Sequence, residues 1–141
     1  MGILRRLEMS QFLGALTLVV RDYDEAKAWY TEILGFEAIE DVDMGGGKRW
    51  LMVAPPGARE TRLLLAQAAG AEQASAIGRQ AGGRVFLFLH TDDFWRDYQL
   101  YRSRGVRFCE EPRREAYGTV AVFEDLYGNH WDLLQPGAAS S

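Results

Sequence analysis

The sequence predicts an α+β domain of two βαβββ modules whose strands curl into a cup-shaped mixed sheet with the helices outside. Three observations predict it. The chain is written twice, each copy reading apolar run, Asp, helical stretch, Gly and a further apolar segment. Three more strand candidates follow each helix, set apart by turns rich in Gly and Pro. The chain has 141 residues, the size of a single domain with a real core. Module one spans about residues 10–67, a linker 68–83, and module two about 84–136.

Module one opens with the apolar run Phe12 to Val20, which reads as a buried strand with the residues before Ser10 as a loose extension. Arg5 and Arg6 precede the run, as they would in a leader peptide. No small-residue cleavage site follows, however, and Arg21-Asp22 ends the run abruptly. It is also too short to span a membrane. A cytoplasmic protein is expected. Asp22 is placed to N-cap a helix, with Glu25 three residues on as a capping box. Tyr23, Ala26, Tyr30, Ile33 and Leu34 then share one face at helical spacing. Gly35 supplies the left-handed residue past the helix end. Strands are expected over Phe36 to Val42, Lys48 to Ala54 and Thr61 to Gln67, with Gly45-Gly-Gly and Pro55-Pro-Gly as turns. The small-residue linker has room for one helical turn.

Module two repeats the order. Val85 to His90 is a strand, and Thr91 or Asp92 caps a helix carrying Phe94, Tyr98 and Tyr101 on one face. Gly105 ends it. Strands follow over Val106 to Glu110, Gly118 to Glu124 and His130 to Gln135. Asp125 to Asn129 forms the last turn, with Gly128 and Asn129 where positive φ is needed. Arg113-Arg-Glu reads as a solvated loop, and the tail after Pro136 as frayed.

Composition excludes several classes. Apolar residues make up 48% and charged residues 26%, which rules out a disordered chain. The net charge of −4 argues against a nucleic-acid binder, which needs a basic face. The single cysteine, Cys109, permits no internal disulfide and no zinc knuckle, and reads as a small core hydrophobe. Gly45-Gly-Gly-Lys48 leads into a strand and so is a turn, not a phosphate loop. There is no serine nucleophile elbow.

Two segments carry a family likeness. Leu18 to Phe36 resembles the opening of a vicinal oxygen chelate module. Phe123 to Leu134 resembles its closing signature, Asp-x-x-Gly-Asn followed by a strand bearing an acidic residue. The likeness runs over residues 12–135 to the superfamily of glyoxalase I, the bleomycin resistance proteins and the extradiol dioxygenases. In its metal-using members four strands each offer one inward ligand, usually His or Glu. Carried over residue by residue, those positions fall on Ala15, Leu64, Phe86 and Asp132. Only Asp132 can bind a cation, and the neighbours Leu63, Leu65, Val85 and Leu87 do no better. A first-row divalent ion needs roughly three or four N, O or S ligands. No metal or other cofactor is therefore expected unless a divalent ion sits in a rebuilt site.

The fold hosts lyases, isomerases, dioxygenases and pure binders, so function must come from the site. The candidate residues are Asp132, His130, Trp50 and Phe86. His130 lies two residues from Asp132 and shares its side of the strand. Trp50 is an aromatic able to stack on a flat ligand. His90, at a strand end, reads as a cap or turn residue. Three functions compete. One is a metal-free small-molecule binder like the bleomycin resistance proteins. The second is a lyase, isomerase or dioxygenase with Asp132 and His130 as acid–base pair or rebuilt ligands. The third is a structural or regulatory dimer whose cup is filled by its own side chains. The apolar residues at Ala15, Leu64 and Phe86 favour the first. The expected partners are a small-molecule ligand and, as the resemblance implies, a second copy in a homodimer. Neither nucleic acid nor membrane is expected.

Overall fold

In the computed structural model, which describes residues 10–58 and 60–137, the repeat becomes two four-stranded mixed sheets of identical topology. The first module holds β1 (Ala15–Val20), α1 (Tyr23–Ala28), β2 (Glu37–Gly45), β3 (Lys48–Ala54) and β4 (Arg62–Gln67). A short helix α2 (Gly70–Ala74) lies in the linker. The second module holds β5 (Val85–His90), α3 (Phe94–Ser103), β6 (Arg113–Glu115), β7 (Gly118–Glu124) and β8 (His130–Pro136). The sheet orders are β1-β4-β3-β2 and β5-β8-β7-β6. In each sheet the first strand pairs with the last in parallel, and the other pairs are antiparallel. A parallel pair needs a long crossover, and the helix with two strands supplies it. The extension ahead of Ser10, with Arg5 and Arg6, and the tail beyond Gly137 lie outside the described residues.

Strand alternation gives each sheet two faces. Leu18, Val20, Leu51, Val53, Leu63 and Leu65 of the first sheet enter the core, as do Ala121, Phe123, Trp131 and Leu133 of the second. Helix α1 covers these faces with Ala26, the turn that continues it with Tyr30, and α3 with Phe94, Tyr98 and Tyr101. One core joins the modules. The ring of Trp131 lies 5.9 Å from that of Tyr30 and 6.0 Å from that of Phe36. Arg104 Nη1 donates to the carbonyl of Ile33 at 2.9 Å. Each buried large side chain contributes about 1.5–3 kcal/mol. The opposite face of each sheet stays open, and the two sheets share no hydrogen-bonded edge.

Several expectations are corrected. Strand β1 begins at Ala15, because its partner β4 begins at Arg62, the residue paired with Ala15; Phe12 and Leu13 are exposed. Asp22 does cap α1, its carboxylate accepting from the Glu25 amide at 2.9 Å. Glu25 is used elsewhere, binding Arg21 and accepting from the Tyr127 hydroxyl at 2.8 Å. The helix then widens into a π turn over Trp29–Ile33. The cap of α3 is Asp93, accepting from the Arg96 amide at 3.1 Å, while Thr91 accepts from the Asp93 amide. The edge strand beside β7 in the second sheet is β6, within the stretch read as a solvated loop. The segment from Val106 to Glu110 contributes only a bridge from Phe108 to Phe123. Pro112, which lacks an N–H, separates the two pieces. Phe108 packs toward the core, so by alternation Cys109 faces away, and it is exposed. In the last turn only Gly128 takes positive φ, at 94°, and Asn129 does not. Among the described residues no helix is long and apolar enough to cross a membrane.

Candidate functional site

The middle of β8 positions Asp132 on the open face of the second sheet, between Val122 of β7 and Phe88 of β5. It is 8% exposed, and among the described residues its buried Oδ1 has no hydrogen-bond partner. Burial pushes its carboxyl above the usual range; nearby Arg113 opposes the shift and Glu110 adds to it. Arg113 is itself engaged, with Nε 3.0 Å from Glu110 and Nη1 2.6 Å from Glu115. The site therefore presents an under-satisfied acid, suited to a ligand's donor or positive charge.

The other candidates surround it unevenly. Phe86 sits where the β5–β8 register shifts between Val85 and Leu87, and it packs against the core. The aromatic beside Asp132 is instead Phe88, 60% exposed. A bulge turns consecutive residues to the same side, which simple alternation from sequence does not foresee. His130 begins β8 on the same face as Asp132, and its Nε2 lies 3.5 Å from Glu124. His90 ends β5 and lines a separate groove of about 490 Å³ with Asp92, Arg96 and Arg104. Trp50, 40% exposed, pairs with Val42 on the open face of the first sheet. With Leu64 and Ala66 it borders a cavity of about 570 Å³. Ala15 lies opposite Arg62, and Leu64 between Thr17 and Met52. Trp50 and Asp132 thus belong to different sheets, and the chain alone does not join them by strand pairing.

The Asp-x-x-Gly-Asn turn has another role. The buried Asp125 carboxylate accepts from the Tyr30 hydroxyl at 2.7 Å and the Trp131 indole at 3.2 Å. It also accepts from the Tyr127 amide at 3.0 Å, the Asn129 amide at 2.9 Å and Asn129 Nδ2 at 3.0 Å. Asn129 Oδ1 accepts from the Gln80 amide at 3.0 Å, and Gln80 Oε1 from the Val19 amide at 3.2 Å. Every donor to Asp125 is structural, so the signature stitches linker, turn and both modules together. In the sequence only its spacing is visible, since Tyr30 lies 95 residues away.

The sequence profile of the Glyoxalase/Bleomycin resistance protein/Dioxygenase superfamily matches residues 12–133. The chain belongs to this superfamily. It is 56% identical over 128 residues to an uncharacterized protein of Shewanella frigidimarina (strain NCIMB 400), a match covering 90% of this chain and 95% of that one. Among solved structures it is similar to UcmS2, with a TM-score of 0.77, 36% identity and coverage of 89% of this chain and 98% of that chain. It is similar also to TnmS3, an antibiotic binding protein from Streptomyces sp. CB03234, with a TM-score of 0.73, 32% identity and coverage of 91% and 98%. Each of these matches spans about nine-tenths of the chain.

Proposed function

We propose that this superfamily member binds a flat, largely apolar small molecule, anchored at Asp132 by a hydrogen-bond donor or positive charge on the ligand. The observation that carries the reading is the buried, unpartnered Oδ1 of Asp132 beside the exposed ring of Phe88. Trp50 adds a second stacking surface on the first sheet. The similarity to TnmS3, an antibiotic binding protein, supports a small-molecule ligand. Ala15, Leu64 and Phe86 offer no metal donor, and neither does Phe88. The donor set at these positions is a single carboxylate, which does not fit a resident divalent ion. Binding here needs no cofactor at those positions.

The working form is a cytoplasmic homodimer. Val42, Met44, Trp50 and Phe88 are exposed on a chain whose two sheets do not meet edge to edge. A second copy would set the first sheet of one chain beside the second sheet of its partner, bringing Trp50 and Asp132 to one cup. The test is tryptophan fluorescence on the intact protein, titrated with planar aromatic cations and with hydrophobic antibiotics. Saturable quenching by some members of the panel is expected. A flat response to every member, with the protein folded, overturns the reading.

A further inference from the structure

We propose that Cys109, Glu124 and His130 form a binding site for a borderline-soft divalent cation, zinc foremost, at the turn end of the second open face. Backbone pairing brings the three together. The Cys109 amide donates to the Val122 carbonyl at 2.8 Å, and the Glu124 amide to the Arg107 carbonyl at 2.9 Å. Glu124 and His130 face each other across the β7–β8 pair. The extended segment around Phe108, then β7, then β8 thus each supply one ligating side chain to the same side of the sheet. A thiol sulfur, a carboxylate oxygen and an imidazole nitrogen all lie within 4.8 Å of one another.

The distances lie within reach of cation coordination. Around a tetrahedral zinc, with bonds of about 2.0–2.3 Å, ligand atoms stand roughly 3.5 Å apart. Closing from 4.8 Å takes about an ångström of side-chain rotation. Cys109 is exposed and His130 and Glu124 are half-buried, so no core packing resists it. Arg107 Nη1 holds Glu124 Oε2 at 2.8 Å, an outer contact that orients the carboxylate. The donor types select the ion. Sulfur and imidazole favour zinc or cobalt, whereas calcium and magnesium seek oxygen ligands. Three protein ligands leave a fourth position for water or a ligand atom.

This site shares no residue with the Asp132 anchor, so the two proposals fail separately. The experiment uses tag-free, full-length protein, reduced and stripped with chelator, then titrated with Zn(II) or Co(II) alone. One ion per chain is expected, with a thiolate-to-cobalt charge-transfer band and the intense visible bands of four-coordinate cobalt. Cys109→Ala should abolish the charge-transfer band. Cys109→Ala, His130→Ala and Glu124→Gln should each weaken zinc binding by more than about tenfold, while Asp132→Asn should leave it unchanged. Circular dichroism melts check that each variant is folded, and Cys109→Ser serves as a second thiol variant. Absence of saturable uptake overturns the proposal. So does uptake that survives the loss of either Cys109 or His130 with its affinity intact.

Discussion

At Asp132 a buried carboxylate oxygen lacks a donor, an arrangement that costs free energy in the unliganded protein. Asp132→Asn should weaken ligand binding by about 1–3 kcal/mol, the usual loss for a charged hydrogen bond. The same change should raise the melting temperature of the free protein, since a neutral amide is cheaper to bury. Equal ligand affinities for variant and wild type would remove Asp132 from the site. The pH dependence has a definite sign. The folded carboxyl is held above its usual range by burial, so its ionised form opposes folding. Below the unfolded value of about 3.9 both states are protonated and the group has no effect. As pH rises through the interval up to the folded value the penalty grows, and above it the penalty is complete. The melting-temperature gap between Asp132→Asn and wild type should therefore widen as pH rises from about 4 toward neutrality; a gap that narrows would show the acid to be stabilised by folding. Tyr30→Phe tests the other buried acid. Removing one donor to Asp125 should cost about 1.5–3 kcal/mol, read as a lower denaturant midpoint. Asp132 was legible in the sequence because it closes a spaced signature. Phe88 and Cys109 were not, since a one-residue register shift and the direction of a single side chain leave no periodic trace.

Helices and central strands follow from their patterns, while edges and ends depend on contacts made far along the chain. The apolar face of α1 was readable at helical spacing, and so were the bounds of β3 and β7. Strand β6 was not, because Arg113-Arg-Glu shows no apolar alternation; edge strands are often short and charged. The π turn over Trp29–Ile33 was equally silent, since the same residues suit an ordinary helix. A single glycine lets the start of β7 approach the end of β8 closely. Gly118 has φ of 147°, and a Cβ there would lie 2.1 Å from the Gln135 carbonyl oxygen. Gly118→Ala should destabilise the protein by about 3 kcal/mol. A thermal or urea melt checks it, and an unchanged midpoint would mean that the hairpin yields easily.

The molecule as a whole is two modules with one core and two open faces. Sedimentation at micromolar concentration should show twice the 15.9 kDa of a single chain, with a melting temperature that rises with protein concentration. A single species at the mass of one chain would leave each open face to act alone. The two-module plan was legible as a repeat in the sequence. How the modules meet was not, because Tyr30, Phe36 and Trp131 come from segments that no local pattern connects.

A repeated chain starts as two interchangeable copies, and the Asp125 turn has ended that equivalence. Its carboxylate lies in the second copy, while its hydroxyl donor, Tyr30, comes from the first. The first copy has no such acid: its matching turn, between β3 and β4, carries Pro55-Pro-Gly57. A chain assembled from two first halves would leave the Tyr30 hydroxyl without that acceptor. The halves are therefore no longer interchangeable: one supplies the acid and the other a donor that meets it.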